Sequence, residues 1–395
     1  MHNIILKLKF VFSILKRDGL CSFLRKMTKS LKNKQGNGIA NKLFIEQWFR
    51  GEGKLENLYG KHEYNSVKDT HIAFIIPGTG ISGGIAVVLK HANLLKAKGY
   101  NITLLSQDGN TRIDWFPNQE ALIIPFDEWN KLKLINICIA TSWTTAPFLS
   151  VIESDRKIYF VQSDERRFDI KDTHTINIIE ATYKMKCEFM TEALWLQRWL
   201  KEEFGHNAHY VPNGIDLDIF HKTNPMEPKS EKPRILIEGA IDVPFKGMDD
   251  AYSAIKDLDC EIWIVSNNGK PKKGWRYDKF FESVPFEKMK EIYSSCDIFL
   301  KMSRVEGFFG PPMEAMACGC AVVVGKVTGY EEYIEHEKNA LVVEMGDIDA
   351  AKKSVERLIK DKELKEKLIH NGYATVKNWN WEHSNKLLEE LINKK

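Results

Sequence analysis

The 395-residue chain is 43% hydrophobic and 28% charged and carries a formal net charge of +3, the balance of an ordinary soluble protein. It has no run of about 18 apolar residues, which excludes a membrane-spanning helix, and its seven scattered cysteines without a C-x-x-C pair are typical of reduced thiols in a cytoplasmic protein. At this length two α/β domains are expected rather than one core.

The first 34 residues are strongly basic, with nine lysines and arginines against one acidic residue, Asp18. Lys7 and Lys9 interrupt the apolar stretch that a secretory signal would need, so the chain is expected to stay in the cytoplasm. Alternating apolar and basic residues over 1–35 predict a segment that lies on the anionic inner face of a cell membrane; a solvated helix packed on the first domain and a partner-binding arm are alternatives. Nucleic acid is not an expected partner, because the rest of the chain is acidic overall.

A polar, glycine-containing break is predicted at 33–41, and from His71 onward strand and helix patterns alternate. This alternation is typical of parallel sheets covered by helices on both faces. The strand candidates of the first half are "HIAFIIP", "NITLLS", "ALIIPF", "INICIATS", "KIYFVQS" and "NAHYVPNG".

The stretch "IIPGTGISGGIAVVLKHANLLKAKG" (75–99) carries Gly78, Gly80 and Gly83 in the spacing G-x-G-x-x-G, and the next strand ends near Asp108. This is the dinucleotide-binding fingerprint, so an NAD-dependent dehydrogenase is one interpretation. The fingerprint alone is weak, because any α/β domain needs small residues where its first strand turns into its first helix. A dehydrogenase would also need a recognisable catalytic domain, which the second half does not resemble.

A linker is predicted at 220–233, which holds three prolines and many charges. Beyond it the alternation restarts and ends in a helical tail over 347–395. The fold class expected is therefore α/β, with two doubly wound, Rossmann-like domains facing a central cleft at the carboxyl ends of their strands. The strand candidates of the second half are "RILIEGAI", "CEIWIVSN", "DIFLKMS", "AVVVGKV" and "ALVVEM".

The stretch "SRVEGFFGPPMEAMACG" (303–319) combines two glutamates, a glycine-bearing turn and two prolines. Pro311 and Pro312 are suited to open a helix, which places Glu314 in its first turn and Gly319 at its end. The free N–H groups of such a helix form an anion site, and carboxylates such as Glu306 and Glu314 can accept hydrogen bonds from sugar hydroxyls. A helix cap and a solvated loop residue are the alternatives for the two glutamates.

These motifs together resemble the retaining glycosyltransferases of family 4, which have the GT-B fold. Glu306 and Glu314 match that family's E-x7-E signature, and "YVPNGIDLDIF" (210–220) is similar to its domain-junction motif. "SGGIAVVLKHANLLKAKGY" (82–100), "EIYSSCDIFLKMS" (291–303) and "NWNWEHSNKLLEEL" (378–391) resemble its first helix, the strand before the signature and the closing helix. The resemblance covers 71–395 in order and says nothing of the sugar.

The composition predicts a basic, amphipathic N-terminal segment at 1–40, which lies outside the resemblance. The resemblance implies an acceptor-binding domain at 41–215 that 378–395 rejoins, and a nucleotide-sugar-binding domain at 216–377. It implies that Glu306 contacts the transferred sugar, that Glu314 contacts the ribose and that Lys246 binds the diphosphate. Glu306 and Lys246 would be the catalytic residues. The remaining donor contacts that it implies come from the loop and from the first helix: Gly307, Phe308, Phe309, Gly310, Gly83 and Gly84.

The sequence departs from the family at three places. Ala240 stands where a second phosphate-binding arginine is usual, so either Arg304 substitutes or Lys246 and the helix terminus suffice. Phe309 stands where glycine is common. Trp143 and Thr144 replace the histidine that often follows the fourth strand.

The function expected is transfer of a sugar, with retention, from a nucleotide-diphosphate sugar to a glycan or lipid-linked acceptor of the cell envelope or surface. Without an obvious protein base, the departing phosphate takes the acceptor's proton. No metal and no other cofactor is expected, since the D-x-D matches lie in unrelated contexts. A catalytically degenerate scaffold or partner subunit is the alternative, and the missing arginine and histidine favour it.

Overall fold

The computed structural model describes residues 34–51, 69–132, 134–168, 170–228 and 230–394. Apart from its last two residues, the segment predicted to lie on a membrane falls outside this part of the chain. Within it, none of the helices is both long and apolar enough to cross a membrane.

Two parallel sheets form the framework of the described chain, one of seven strands in the order β3-β2-β1-β4-β5-β6-β7 and one of six in the order β10-β9-β8-β11-β12-β13. The first sheet contains β1 (His71–Ile76), β2 (Asn101–Ser106), β3 (Leu122–Pro125), β4 (Ile137–Ala140), β5 (Arg156–Val161), β6 (Glu188–Thr191) and β7 (His209–Tyr210). The second contains β8 (Arg234–Glu238), β9 (Glu261–Ser266), β10 (Lys279–Glu282), β11 (Ile298–Lys301), β12 (Ala321–Gly325) and β13 (Leu341–Val343).

The α-helices cover the faces of these sheets and are joined by short 3₁₀ turns. They are α1 (Lys34–Phe49), α2 (Gly83–Ala97), α3 (Thr173–Tyr183), α4 (Leu194–Phe204), α5 (Met248–Ile255), α6 (Met289–Ser295), α7 (Gly310–Ala317), α8 (Ile348–Lys360), α9 (Lys362–Val376) and α10 (Trp381–Ile392).

Both sheets are buried on both faces, which explains their nearly continuous apolar strands. In β1, Ala73 and Ile75 belong to one core cluster, while Ile72, Phe74 and Ile76 belong to another on the opposite face. The second sheet likewise separates two clusters. The expected α/β class with two doubly wound sheets is confirmed.

All eleven strand candidates correspond to observed strands, and β6 and β10 were not predicted. Both are only four residues long, and the two sequences, "EFMT" and "KFFE", begin or end on charged residues. Such short mixed segments lack the apolar run that marks a buried strand.

The break predicted at 33–41 is wrong, because α1 begins at Lys34 and continues to Phe49. Ala40, Phe44 and Trp48 recur every fourth residue and are buried in the structure. Phe44 also packs against Phe148, with ring centroids 4.4 Å apart. Burial of this face therefore outweighs the low helix propensity of the glycines near its start.

The last helix rejoins the first sheet, as expected. In α10, Leu388, Leu391 and Ile392 belong to the same core cluster as β1 and α2. Arg156, at the start of β5, donates to the carbonyl oxygens of Leu391 and Ile392 at 3.0 and 2.8 Å. A cation at this position satisfies carbonyl groups that the end of a helix leaves free.

Candidate active site

A cavity of about 1000 Å³ lies between the two sheets and contacts both. Its walls include Thr141 and Gln162, which follow β4 and β5 of the first sheet. Glu238 and Lys301, the last residues of β8 and β11, line it from the second sheet. This is the crevice at the carboxyl ends of the strands that the topology predicts.

The glycine pair of the first domain opens α2 at the edge of this cavity, as predicted. Gly83 is the first residue of the helix, and the Ser82 hydroxyl accepts a hydrogen bond from the Ile85 amide at 3.2 Å. Ser82, Gly83 and Gly84 all line the cavity. The positive end of the α2 dipole is therefore directed at the cleft.

Asp108 is the carboxylate that a dinucleotide site would use to bind ribose, but here its oxygens accept hydrogen bonds from the protein itself. Asp108 accepts hydrogen bonds from the amide and the hydroxyl of Thr79, both at 2.9 Å, and from the Asn110 side chain at 2.8 Å. Asp108 thus holds the glycine-bearing turn itself. This geometry argues against a dehydrogenase.

Lys246 and Glu306 form an ion pair inside the cleft. The Lys246 ammonium lies 3.0 and 2.9 Å from the two carboxylate oxygens of Glu306, whose side chain is 10% exposed. Burial alone would raise the pKa of Glu306, but the ammonium groups of Lys246 and Lys301 outweigh it and lower the pKa below its ordinary value. Glu306 is therefore a carboxylate at neutral pH.

The backbone beside Lys246 requires a glycine. Gly247 has a φ of +64°, and a Cβ there would lie 1.9 Å from the Met302 carbonyl oxygen. The turn that carries Lys246 is therefore packed directly on the strand end that leads to Glu306.

Glu314 lines the cleft from the second turn of α7, so its predicted place in the first turn is wrong. The helix begins at Gly310, one residue before the two prolines, and Gly319 follows its end with a φ of +89°, as expected. Glu314 accepts a hydrogen bond from the Tyr293 hydroxyl at 3.1 Å. Burial raises its pKa to about 8, and the nearby Glu238 carboxylate adds to this, while Tyr293 and Lys301 oppose it.

The loop before α7 has few backbone N–H groups free for a ligand. The Phe308 amide donates to the Glu192 carboxylate at 3.1 Å, and the Gly310 amide donates to the Phe308 carbonyl at 3.0 Å. Pro311 and Pro312 have no N–H to donate. The anion site expected at this helix start is thus poorer in donors than the sequence suggests.

The residues predicted to contact the donor are not all brought together. Gly307, Phe308 and Gly310 line the cavity with Lys246, Glu306 and Glu314, whereas Phe309 is fully buried in the second-domain core and does not line it. Arg304 does not line it either: its half-exposed guanidinium pairs with Asp250 at 2.6 Å. The structure therefore gives no support to Arg304 as the substitute phosphate-binding cation.

Two charged residues in the cleft were missed by the sequence analysis. Glu238 and Lys301 end neighbouring strands, and the Lys301 ammonium lies 3.2 Å from the Glu238 carboxylate and 2.9 Å from its carbonyl oxygen. The signal was present in the sequence, since each is a charged residue directly after three apolar residues of its strand ("RILIE", "IFLK").

Two first-domain carboxyl groups in the cavity wall were missed as well. Glu165 accepts hydrogen bonds from the Trp143 amide at 2.8 Å and from the Tyr159 hydroxyl at 3.1 Å. Burial raises the pKa of Glu165 and of Glu192 to about 8, although the hydrogen bonds that each accepts oppose the rise. Both are therefore largely protonated at neutral pH.

The two domains touch at the signature loop. A Cβ at Gly307 would lie 1.7 Å from the Gln162 carbonyl oxygen, so only glycine permits this approach. The Trp195 indole donates to the Gly307 carbonyl at 2.7 Å, and Phe168 stacks on Phe245 with centroids 5.1 Å apart. These contacts join the two domains beside Glu306, the residue that precedes Gly307.

Residues 278–375 match the family model described as "Glycosyl transferases group 1", a region that contains Glu306 and Glu314. Over 209 residues the chain is 26% identical to an uncharacterised glycosyltransferase of Methanocaldococcus jannaschii, which covers 50% of this chain and 58% of that protein. Over 159 residues it is 28% identical to the O-antigen chain mannosyltransferase B of Escherichia coli, which covers 40% of this chain and 36% of that one. The chain thus spans little more than half, or less, of the length of these relatives.

Among solved structures, HepE of Anabaena in complex with UDP-glucose superimposes with a TM-score of 0.67 at 14% identity. The superposition covers 82% of this chain and all of HepE. Together with the two parallel sheets, this likeness shows that the fold is GT-B.

Proposed function

We propose that this chain is a retaining glycosyltransferase that moves a sugar from a nucleotide-diphosphate sugar to a glycan or lipid-linked acceptor, without a metal ion. The observation that carries the proposal is the Lys246–Glu306 ion pair, which lines the same cavity as Glu314 at the carboxyl ends of the strands. Two of these three residues lie in the segment that matches the group 1 family model. Assignment to family 4 is part of the proposal and rests on the motifs.

In the proposed reaction the bond between the anomeric carbon and the diphosphate breaks, and the acceptor hydroxyl forms the new bond on the same face of the sugar. The departing phosphate oxygen takes the proton of that hydroxyl. Lys246 stabilises the negative charge that develops on this oxygen, and Glu306 accepts hydrogen bonds from sugar hydroxyls. The ion pair must therefore open as the donor enters, each partner exchanging the other for a group of the donor.

A nucleotide sugar is supported as the donor by the chemistry of the cleft and by HepE, the neighbour in fold that holds UDP-glucose. A surface polysaccharide as the product is supported by the relative named as an O-antigen mannosyltransferase. A cytoplasmic enzyme at the inner face of the membrane would meet such an acceptor, and the basic segment 1–35 would hold it there.

The test is turnover of a panel of UDP-, GDP-, ADP- and dTDP-sugars by the purified chain, with NMR of the product to assign the anomeric configuration. We expect Lys246→Ala and Glu306→Ala to lower the rate by roughly 10²–10³. Lys272→Ala, which removes an exposed lysine paired with Asp249, is the matched control and should have no effect.

Turnover that needs an added divalent cation and stops with EDTA would overturn metal independence. Inversion at the anomeric carbon would overturn the retaining mechanism. Binding of a donor without turnover of any sugar nucleotide would favour the scaffold interpretation instead.

A further inference from the structure

Two neighbouring strands of the second sheet end at the cleft in a pair of opposite charges, of which Lys301 is buried and Glu238 is partly buried. In β8 and β11 the three residues directly before the pair, 235–237 and 298–300, are fully buried and apolar, as expected for central strands of a parallel sheet. Glu238 and Lys301 break this pattern at the carboxyl ends of the two strands, where both line the cavity.

The side chain of Lys301 is only 3% exposed, and two of its three N–H donors are used by the carboxylate and carbonyl oxygens of Glu238. A buried ion pair is costly to desolvate, and an apolar pair of similar volume often serves a sheet equally well. The stability of the sheet therefore does not account for the pair. Both groups line the cavity at the carboxyl ends of parallel strands, which is where the ligands of such sheets bind.

Lys301 is close enough to both glutamates of the signature to change their pKa values. Its ammonium lowers the pKa of Glu306, second to Lys246 among the cations, and opposes the rise in the pKa of Glu314. Among the described second-domain residues that line the cavity, Lys246 and Lys301 are the cations. Two lysines of α2 also line the cavity: Lys90, which is paired with Asp216 at 2.5 Å, and Lys96, which lies in the last turn of the helix, at the opposite end from Gly83.

We propose that Lys301, held in place by Glu238, is the second cation that contacts the diphosphate of the donor, beside Lys246. This inference rests on the proposed function. Two ammonium groups match the two negative charges of a diphosphate ester, and they are needed because the loop and helix before Glu314 offer few free amides. Glu238 positions Lys301 and competes with the diphosphate for it.

The test measures the Kd of UDP, GDP, ADP and dTDP, and of the matching nucleosides, by calorimetry on the full chain. The double variant Lys301→Met/Glu238→Gln removes both charges and leaves no unpaired buried charge. We expect it to weaken the preferred diphosphate by about 10- to 100-fold and to leave the nucleoside unchanged. The control, Lys326→Met/Glu344→Gln, removes an exposed pair at the end of β12, 3.3 Å apart, and should change neither.

The single variant Glu238→Gln distinguishes a ligand-binding role from a structural one. It removes the competing carboxylate, so we expect the diphosphate to bind about 3- to 10-fold more tightly, whereas a purely structural pair would give weaker binding. Arg304→Ala, which removes the cation paired with Asp250, should leave the Kd unchanged.

An unchanged diphosphate Kd in Lys301→Met/Glu238→Gln, with strong binding by the natural chain, would overturn the role of Lys301 and leave the proposed function standing. Equal loss of nucleoside and diphosphate binding would also overturn it, because the effect would then not concern the phosphates. Failure of the natural chain to bind any of the four diphosphates would overturn the proposed function, and the role of Lys301 with it.

Discussion

At the scale of single residues, the cleft separates its carboxyl groups into two kinds. Glu306 faces Lys246 and stays ionised, while Glu165, Glu192 and Glu314 lack a comparable cation and have a pKa of about 8. The same residue type thus serves as an anion in one place and as a neutral group in others. The pKa of each glutamate depends on whether the fold places a lysine beside its carboxyl group.

The raised pKa of Glu314 predicts that donor affinity increases with pH. A carboxylate accepts hydrogen bonds from a ribose diol more strongly than a carboxylic acid does, so ionisation through a pKa of about 8 should favour binding. We expect the Kd of a sugar nucleotide to fall by roughly tenfold from pH 6.5 to pH 9. A sugar nucleotide is the proper probe because its diphosphate does not titrate in this range.

Glu314→Gln is the matched variant for that measurement, since it keeps the shape of the side chain and removes its titration. Its Kd should vary little over the same range of pH. A dependence as steep as that of the natural chain would assign the effect to another group.

Much of the site could be predicted at this scale, because Glu306, Glu314 and Lys246 stand in a recognisable pattern. The position of Lys301 at the end of an apolar run was a usable signal, but its pairing with Glu238 and the contact of Glu192 with the signature loop depend on which strand ends and loops meet at the cleft. Arg304 was considered as a phosphate ligand from its position in the chain. Its side chain instead reaches Asp250 of α5, a contact that the sequence pattern does not indicate.

At the scale of elements, the main feature of the loop before α7 is its close contact with the first domain, and few of its backbone amides are free to bind a ligand. Gly307 lies against the carbonyl of Gln162, and Glu192 takes the next amide. Pro311 and Pro312 fix the start of α7 but remove two N–H groups from it. The loop is therefore one of the places where the two domains are held together, beside contacts such as that of Tyr210 with Glu332.

Gly307→Ala should prevent this contact. Its Cβ would lie 1.7 Å from the Gln162 carbonyl oxygen and 2.9 Å from the Glu192 carboxylate, so we expect the domains to separate while each keeps its own core. Small-angle X-ray scattering should show a larger radius of gyration, with an unchanged circular dichroism spectrum.

Gly310→Ala is the control for that shape measurement, because nothing lies within 4 Å of a Cβ at this position of the same loop. Its radius of gyration should equal that of the natural chain. If the two variants scatter alike, the contact at Gly307 does not hold the domains together.

At the scale of the whole molecule, alternation of strands and helices predicted the two-sheet architecture, since each apolar strand needs cover on both faces. The break expected at 33–41 was wrong because local glycines suggested a loop, while burial of Phe44 and Trp48 against the first domain stabilised a helix. Which faces of distant segments meet is a property of the folded chain. It therefore cannot be derived from local pattern alone.

The protonated carboxyl groups also predict that the whole molecule is more stable in mild acid than in base. Glu165 and Glu192 ionise near pH 4.5 when unfolded and near pH 8 when folded, so the folded state binds more protons between these values. The free energy of unfolding should therefore fall as the pH rises from 4.5 to 8 and level off above. We expect Tm to be several degrees lower at pH 8.5 than at pH 6.

Glu165→Gln should reduce this dependence and raise Tm at pH 8.5 relative to the natural chain, because it removes one ionisation. Glu128→Gln, at a partly exposed glutamate of the same domain that pairs with Lys131, is the control and should leave the dependence intact. A Tm that rises from pH 6 to pH 8.5 would contradict the assignment.

The return of α10 to the first sheet bears on how the protein forms during synthesis. The ribosome synthesises β1 and α2 hundreds of residues before Leu388 and Leu391. The apolar face that these side chains cover therefore stays exposed to solvent while the entire second domain is translated. A nascent chain arrested before residue 381 would therefore present that face to chaperones or to other nascent chains.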